Sequence, residues 1–517
     1  MRKKILLFSA LILMILCISS GKIFSYKTTI DDNEKKELVL AASRYACPGA
    51  DDAYYCSFAL GVWEGLIRDT SDGYKGWLAE SYSHNNDYTE WNFKLRNNVF
   101  FHDGEKFNAD AVIFNFKRME KKLSSGYVPL YIEKSLPNLL KIEKVDDYNL
   151  RFIFRKPVPH LLKYLSGYGS PMFSPKCINK SGYFSTVAQG TGPYKIAQEY
   201  PEQFVCVTRN NEYWGDKSII KNVKLKTIKD PTSRVLALEA NEIMGVVDLG
   251  ALDPAMAKEL LKNDEFSIIE NEGYTTNHYV AFNFNKAFKD RRLREAVSLA
   301  INRDVMVKNI FFGYAVPICN LIGNQYYYHK NYNCEYNIEK AVEYVRNVTG
   351  GNVLKAKLIL RQKDCNRYPQ EKMALYLQSC LKSIGINVDI QILETQYYSN
   401  VLNSDDWDLT ISKCGADESV FKSILAKNGS MNKLYKINFN DTNISNKINE
   451  MDFEVDSYKV NEFYGDLQDI IHDNYLVVPC VRDIFIAAYN SKKIYGFTID
   501  KYPNTTLSKT GWLQGGK

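Results

Sequence analysis

Histidine is scarce in this 517-residue chain and scattered where it occurs, at His84, His102, His160, His278, His329 and His472. That spread argues against a multi-histidine metal cage. The cysteines form no C-x-x-C pair, which argues against a structural zinc site. There is no H-E-x-x-H helix, no G-x-S-x-G elbow and no G-x-x-x-x-G-K-[ST] phosphate loop, so zinc peptidase, α/β-hydrolase and nucleotide-hydrolase chemistries all lack their signatures. Charge of one sign is not concentrated either: 66 Lys and Arg against 60 Asp and Glu give a net charge of +6. No dense basic run lies outside the N-terminus, and no nucleic-acid-binding module is recognisable. After the first twenty or so residues no segment is apolar enough to span a bilayer. These absences assign the chain no catalytic residue, no metal and no cofactor.

What is present is the composition of an ordinary globular protein, with 45% hydrophobic and 24% charged residues. At roughly 150 residues per domain the length corresponds to about three domains. Arg2-Lys3-Lys4 precede an apolar stretch from Ile5 to Ile18, the charge and length pattern of a secretory signal. The expected fate of residues 1–21 has three alternatives: lipidation of Cys17, cleavage near Gly21, or an uncleaved anchor. Met14-Ile15-Leu16 lack the small residues usual before a lipidated cysteine. In each case the mature domain faces outward, in the periplasm or on the outer face of the membrane. Residues 22–36 are polar and read as a tether. Of eleven cysteines, ten remain once Cys17 is set aside. Cys47 with Cys56, and Cys319 with Cys334, are spaced to close short loops, with free buried thiols as the alternative.

The tract Trp91 to Met119, WNFKLRNNVFFHDGEKFNADAVIFNFKRM, is one complete supersecondary unit. Trp91, Phe93 and Leu95 alternate with polar residues, as in a strand buried on one face. Asn97-Asn98 turns the chain, Val99 to Phe101 forms a second apolar run, and His102-Asp103-Gly104 is a turn. Asn108 stands at a helix N-cap, followed by Val112, Phe116 and Met119 on one face and Asp110 in the first turn. His102-Asp103 could be taken for an acid–base dyad, but a tight turn ending in glycine is the better reading.

Strand, turn, a second strand at Val99 to Phe101, F-H-D-G-x-x-F-x-A-x-x-V and helix in this order resemble the family 5 extracellular solute-binding proteins, the dipeptide, oligopeptide and nickel receptors of ABC importers. Two distant stretches carry the same resemblance. One is Val280 to Pro317, VAFNFNKAFKDRRLREAVSLAINRDVMVKNIFFGYAVP, with its D-x-R-x-R-x-A-x-x-x-A-I-x-R element. The other is GTGPY at Gly190 to Tyr194, followed by RNNEYWGD at Arg209 to Asp216. The resemblance implies an α/β, two-lobed periplasmic-binding-protein-like fold (type II, cluster C), with an inserted third subdomain and a hinged ligand cleft. On that plan lobe I takes 37–60, 186–275 and 490–517, the inserted subdomain takes 61–185, and lobe II takes 276–489. The coarse reading places a strand at Glu37 to Ala42, a helix at Phe58 to Ile67 and strands at 204–208 and 223–228. In lobe II it places helices at 290–302, 338–347 and 370–384, alternating with strands at 355–360 and 387–392. A C-terminal strand about Ile494 to Ile499 is expected to rejoin lobe I after a crossing near Asn490.

Ligand residues are also read through this resemblance. Peptide receptors of the family carry an Ala-Asp or Gly-Asp element after a buried strand, whose carboxylate pairs with the peptide ammonium. Trp407 to Lys413 followed by Cys414-Gly415-Ala416-Asp417 matches it, which makes Gly415, Ala416 and Asp417 candidates. Lys413 departs from the pattern and is a candidate partner for Asp417, and a solvated loop carboxylate is the plain alternative. For the ligand carboxylate, Arg361, Lys363 and Arg367 lie in the loop where similar dipeptide receptors carry an arginine, although the matching position itself is Asp364. Among 36 tyrosines, the clusters Tyr54-Tyr55, Tyr326-Tyr327-Tyr328 and Tyr397-Tyr398 are candidate aromatic contacts. Tyr54 and Tyr55 stand out because the loop after the first strand of such lobes faces the cleft. The function implied is capture of a short peptide and delivery to the importer's permease, without catalysis and as a monomer. The alternatives are a nickel or metallophore receptor of the same family and a non-transport sensor or chaperone. Nickel-type members use a histidine in the loop matching Ala416 to Phe421 and arginines in the segment matching Tyr164 to Pro175, and this chain has neither.

Overall fold

The computed structural model describes residues 36–45, 61–70, 72–121, 131–166, 169–247, 250–271, 276–498 and 507–513. Tyr54, Tyr55, Cys17, Cys47 and Cys56 lie outside them.

The first lobe is built on a seven-stranded sheet in the order Phe266–Asn271, Phe485–Asn490, Gly245–Val246, Glu37–Ala42, Asn222–Thr227, Phe204–Arg209, Tyr194–Tyr200. Glu37–Ala42 is parallel to both its neighbours. Its run of apolar residues suits a strand covered on both faces, and Leu38, Leu40, Ala41 and Ala42 are buried. The second lobe holds a six-stranded sheet in the order Ala315–Pro317, Val478–Asp483, Asn277–Phe282, Leu409–Cys414, Leu354–Arg361, Ile386–Leu393. The helices Arg291–Ala300, Ile338–Thr349 and Gln370–Ser383 cover it, close to the expected spans. Their apolar faces meet the sheet through Leu293, Val297, Val345, Met373 and Leu377. Cys319 and Cys334 form the expected disulfide, with Cα atoms 5.5 Å apart.

A four-stranded antiparallel sheet, Ala79–His84, Glu90–Leu95, Asn149–Phe154, Leu139–Lys144, makes the inserted subdomain. Trp91, Phe93 and Leu95 point inward as the alternation predicts. The helix Ala109–Met119 starts at Asn108, whose side chain accepts a bond from the Ala111 amide at 3.0 Å. Phe116 of this helix meets Phe152 of the sheet edge-on at 5.6 Å.

Several expectations need correction. Val99 to Phe101 forms no strand: only the single bridge Phe100 to Lys106 is made, and Phe100 is 47% exposed. The described part of the expected 58–67 helix is irregular chain at 61–65, followed by the strand Ile67–Thr70. The return to lobe I comes before Asn490, because Phe485–Asn490 already pairs with Phe266–Asn271 and Gly245–Val246 in the first sheet. The 61–185 boundary of the subdomain also shrinks, since Val62, Trp63, Phe173 and Cys177 belong to the first lobe's core. Of the expected 494–499 strand, the described residues form strand at Ile494-Tyr495, paired with Gly511-Trp512, and Ile494 and Trp512 pack on the lobe I core without joining its sheet.

The three N-terminal motifs meet at one junction. His102 donates its amide to the Gly190 carbonyl at 2.9 Å, and its Nε2 lies 2.9 Å from the Gly192 carbonyl. The His102-Asp103 pair is thus part of a turn that ties the subdomain to GTGPY. Gly190 and Gly192 are required by close approach: a Cβ would come within 2.1 Å of the Val62 carbonyl and 2.2 Å of the Gly61 carbonyl, respectively. Beneath them Glu64, 1% exposed, accepts bonds from Tyr213 Oη and Trp214 Nε1, both at 2.7 Å, and from Thr191 Oγ1 at 2.9 Å. One carboxylate therefore links GTGPY and RNNEYWGD.

Burial pushes the Glu64 carboxyl from its ordinary 4.5 up to about 7, against the downward pull of those hydrogen bonds. The folded chain then holds a proton that the unfolded chain releases. This contribution is complete below about pH 4.5 and fades as the pH rises to about 7. Glu64→Gln lacks this fading. Its stability relative to wild type should therefore rise by up to about 3 kcal/mol between those limits, read by urea unfolding at stepped pH. A difference independent of pH would contradict it.

Candidate functional site

Leu354–Arg361 and Leu409–Cys414 run parallel in the second sheet. Their carboxyl ends therefore open at the same edge, the place where α/β sheets offer a crevice. The loops that follow carry Arg361 to Arg367 and Lys413 to Glu418. From the first lobe, the carboxyl end of Glu37–Ala42 brings Arg44 near enough to Lys363 to depress its ammonium pKa, together with burial, the leading cause, and Arg361 and Arg367. The lobes also touch beside the crossings. Gly250, at φ +69°, leaves no room for a Cβ, which would sit 2.7 Å from the Arg367 carbonyl. Lys372 pairs with Asp253 at 3.0 Å.

The Gly415-Ala416-Asp417 loop is held rigidly from below. Asn277, fully buried at the start of the strand Asn277–Phe282, donates its amide to the Gly415 carbonyl at 3.0 Å and to the Leu321 carbonyl at 2.5 Å. Its oxygen accepts from Arg482 Nε at 2.8 Å, while Arg482 Nη2 reaches the Ile322 carbonyl at 2.9 Å. The Ala416 carbonyl accepts from the Gly323 amide at 2.7 Å. Asp417 precedes Glu418, the N-cap of the helix Ser419–Leu425, and its Oδ1 accepts the Ser419 amide at 2.9 Å. Its other oxygen lies over Gly415, 3.7 Å from where a Cβ would be. Asp417 and Glu418 both act on the hydroxyl of Tyr326, whose pKa is raised chiefly by burial.

The cations are arranged differently from the sequence expectation. Asp364 is 8% exposed and forms the centre of the cluster. Arg361 approaches its Oδ2 through Nε at 2.7 Å and Nη2 at 2.5 Å, and Lys413 Nζ stands 3.8 Å from Oδ1. Lys413 is therefore the partner of Asp364, not of Asp417. Burial, followed by repulsion from Arg367 and Arg361, lowers the Lys413 pKa, while Asp364 and Asp483 oppose the shift. Arg361 and Lys413 thus meet at the Asp364 carboxylate where the two strands end, Lys363 and Arg367 lie in the same 361–367 segment, and Asp417 closes the loop that Lys413 begins.

Of the tyrosine clusters, Tyr328 is buried and donates to Glu418 Oε2 at 2.8 Å, Tyr326 stacks on Tyr328, and Tyr327 is exposed. Tyr398 is buried against Thr410, and Tyr397 is exposed, so that pair does not act as a unit. A recess of about 130 Å³ opens elsewhere in the second lobe, beside the disulfide and lined by Glu295, Arg303 and Gln468 among others. Those side chains are already engaged with Arg291, the Pro479 carbonyl and Asn320, respectively. Sequence reasoning missed Asn277, Arg482, Glu418 and Lys163. Only Glu418, adjacent to Asp417, had a positional signal.

Residues 73–432 match the bacterial extracellular solute-binding proteins, family 5 (middle region). The chain is 25% identical over 481 residues to the glutathione-binding protein GsiB of Escherichia coli O1:K1, covering 89% of this chain and 90% of that one. The fold superposes on NikA from Brucella suis in complex with Fe(III)-EDTA with a TM-score of 0.80, at 20% identity, covering 92% of this chain and all of that one. It superposes on the periplasmic binding protein DppA from Helicobacter pylori, in complex with the peptide STSA, with a TM-score of 0.74 at 22% identity, covering 93% and 98%. The chain belongs to the family 5 extracellular solute-binding proteins of ABC importers, which work outside the cytoplasm, and it has their two-lobed fold. Among the described residues no helix is long and apolar enough to cross a membrane.

The support beneath the loop can be tested directly. Asn277→Ala removes two donors and leaves the buried Arg482 guanidinium short of an acceptor, so stability should fall by about 2–4 kcal/mol in urea unfolding. A loss below about 0.5 kcal/mol, the range of an ordinary surface change, would show that the loop is held elsewhere.

Proposed function

We propose that this receptor closes its lobes over a short peptide and delivers it to an ABC importer permease, binding without catalysis and acting as a monomer. The observation that carries the reading is the Lys413 to Asp417 loop. It is fixed by Asn277 and Gly323, begins at Lys413, which meets Arg361 on the Asp364 carboxylate with Lys363 and Arg367 in the same 361–367 segment, and ends at the Asp417 carboxylate. A zwitterion laid across the loop meets a partner for each terminus: Asp417 for the ammonium and the arginine-rich group for the carboxylate. Gly415, with no side chain, lets the ligand approach the backbone. Closure excludes water and strengthens both contacts. Tyr54 and Tyr55 are proposed as aromatic walls from the first lobe. Attachment through the N-terminal segment, by a lipid on Cys17 or by an uncleaved anchor, would keep the receptor at the membrane.

A metal chelate is the second reading, since NikA of Brucella suis was crystallised with Fe(III)-EDTA on a similar fold. A bare ion would need its own ligand set, and no group of three or more His, Cys, Asp or Glu side chains is so placed among the described residues. A carboxylate-rich chelate would use the cation group instead and leave Asp417 idle. Asp417 therefore separates the two readings.

If Asp417 holds the ammonium, Asp417→Asn keeps the shape but leaves that charge unpaired. Peptide affinity should fall by about 2–5 kcal/mol, mainly through faster release. Acetylating the peptide N-terminus should cost the wild type a similar amount, and the two losses should not add in a double cycle measured by calorimetry. Normal binding by the Asn variant, or of acetylated peptide, would remove Asp417 from the site.

A further inference from the structure

The inserted subdomain does more than decorate the first lobe. Its short helix Leu161–Leu165 faces the second lobe, where Lys163 forms an ion pair with Glu418 across 255 residues of sequence. The same helix brings Tyr164 near Asp452 and Glu418, and the preceding segment sets Lys156 over the ring of Phe453 at 5.7 Å. Phe453 in turn packs on the subdomain core. Glu418 also accepts from Tyr328, in the loop that the Cys319–Cys334 disulfide closes. The side chain of Glu418 is 26% exposed and that of Lys163 is 31% exposed, so the contact is partly withdrawn from water.

Glu418 is the residue after Asp417, yet the two carboxylates serve different ends. Asp417 accepts the Ser419 amide through one oxygen. Glu418 is engaged by a cation and a hydroxyl of the protein itself. Burial alone would raise its pKa, but Lys163 and Tyr328 hold it below the usual carboxylate range. Lys163 also lies 5.7 Å from the centre of the Tyr326 ring, the tyrosine on which Asp417 acts. The ion pair therefore stands at the residue next to Asp417 and joins the inserted subdomain to the second-lobe loop that carries it.

We infer that Lys163 and Glu418 form a latch by which the inserted subdomain shuts the cleft behind Asp417 and so sets how far a ligand extends past that end. The inference rests on the proposed peptide reading for the nature of the ligand. A peptide whose ammonium is at Asp417 fits within the latch, whereas residues added before that ammonium would have to part Lys163 from Glu418. Breaking the pair leaves a partly buried charge without its partner, which penalises the longer ligand.

The test uses the full chain with Lys163→Gln, Glu418→Gln and the exchanged pair Lys163→Glu/Glu418→Lys. Each is offered a mixture of random peptides from dipeptides to octapeptides, and the lengths retained and their release rates are read by mass spectrometry. Each single variant should accept peptides longer than the wild-type limit and release them about tenfold faster, which corresponds to about 1.4 kcal/mol. The exchanged pair should return both readouts toward wild type, a rescue that simple loss of packing would not give. An unchanged length limit in both single variants overturns the latch, whatever their release rates. If the wild type retains no peptide, the peptide reading fails, and the latch is judged by small-angle scattering. A larger radius of gyration for Lys163→Gln then supports it, and a radius equal to wild type overturns it.

Discussion

Charge gathered at the half-buried end of the Leu409–Cys414 strand is the constraint on which the proposed site depends. Lys413, Asp417 and Glu418 lie within six residues, and a buried charge without a partner costs several kcal/mol. The fold meets the demand three different ways. Lys413 turns back toward Oδ1 of Asp364, whose Oδ2 already accepts from two nitrogens of Arg361. Glu418 reaches across to Lys163 and Tyr328. Asp417 is left with a backbone amide on one oxygen and its other oxygen toward Gly415. On the proposed peptide reading this difference leaves Asp417 for a ligand ammonium, while Glu418 is engaged within the protein by Lys163 and Tyr328.

The crossing between the lobes is built on a similar logic. Asp483 accepts the Thr276 amide at 2.7 Å and lies 3.1 Å from Nε2 of the fully buried His278, and its own amide donates to the Thr276 carbonyl at 3.0 Å. The two strands that pass between the sheets are thus bonded to each other where they cross. Asn277 and Arg482, the next pair along, support the Gly415 loop. The crossing and the proposed ligand loop therefore share a continuous hydrogen-bond network, so a change in lobe angle and a change in the loop act on the same bonds.

Local patterns made much of the architecture legible. The alternation at Trp91 to Leu95 gave the correct strand face, Asn108 the correct cap, and the helices at 291–300, 338–349 and 370–383 were placed within a few residues, because periodicity and capping are short-range. Phe485–Asn490 was misassigned for the opposite reason: nothing in its sequence says which of two sheets it joins, since both would bury the same apolar face. Val99 to Phe101 read as strand from its composition, but its neighbours are a turn and a single bridge, so the run is spent on core contacts without a ladder. At the site, the loop from Gly415 to Asp417 was readable as a motif, whereas its supports Asn277 and Arg482 come from strands far away in sequence. Lys413 was assigned to the nearer acid in sequence, and the nearer acid in space is Asp364. Pairing of charges is a three-dimensional property, and adjacency along the chain is a poor guide to it.

The most direct test of the central claim is native mass spectrometry of the full chain purified without denaturation and then offered a peptide mixture. A closed cleft with an ammonium anchor and a carboxylate anchor predicts a ladder of added masses that match short peptides with free N-termini, absent when the mixture is N-acetylated. Retention of a metal-chelate mass with no peptide ladder, or equal retention of acetylated and free peptides, would contradict the account.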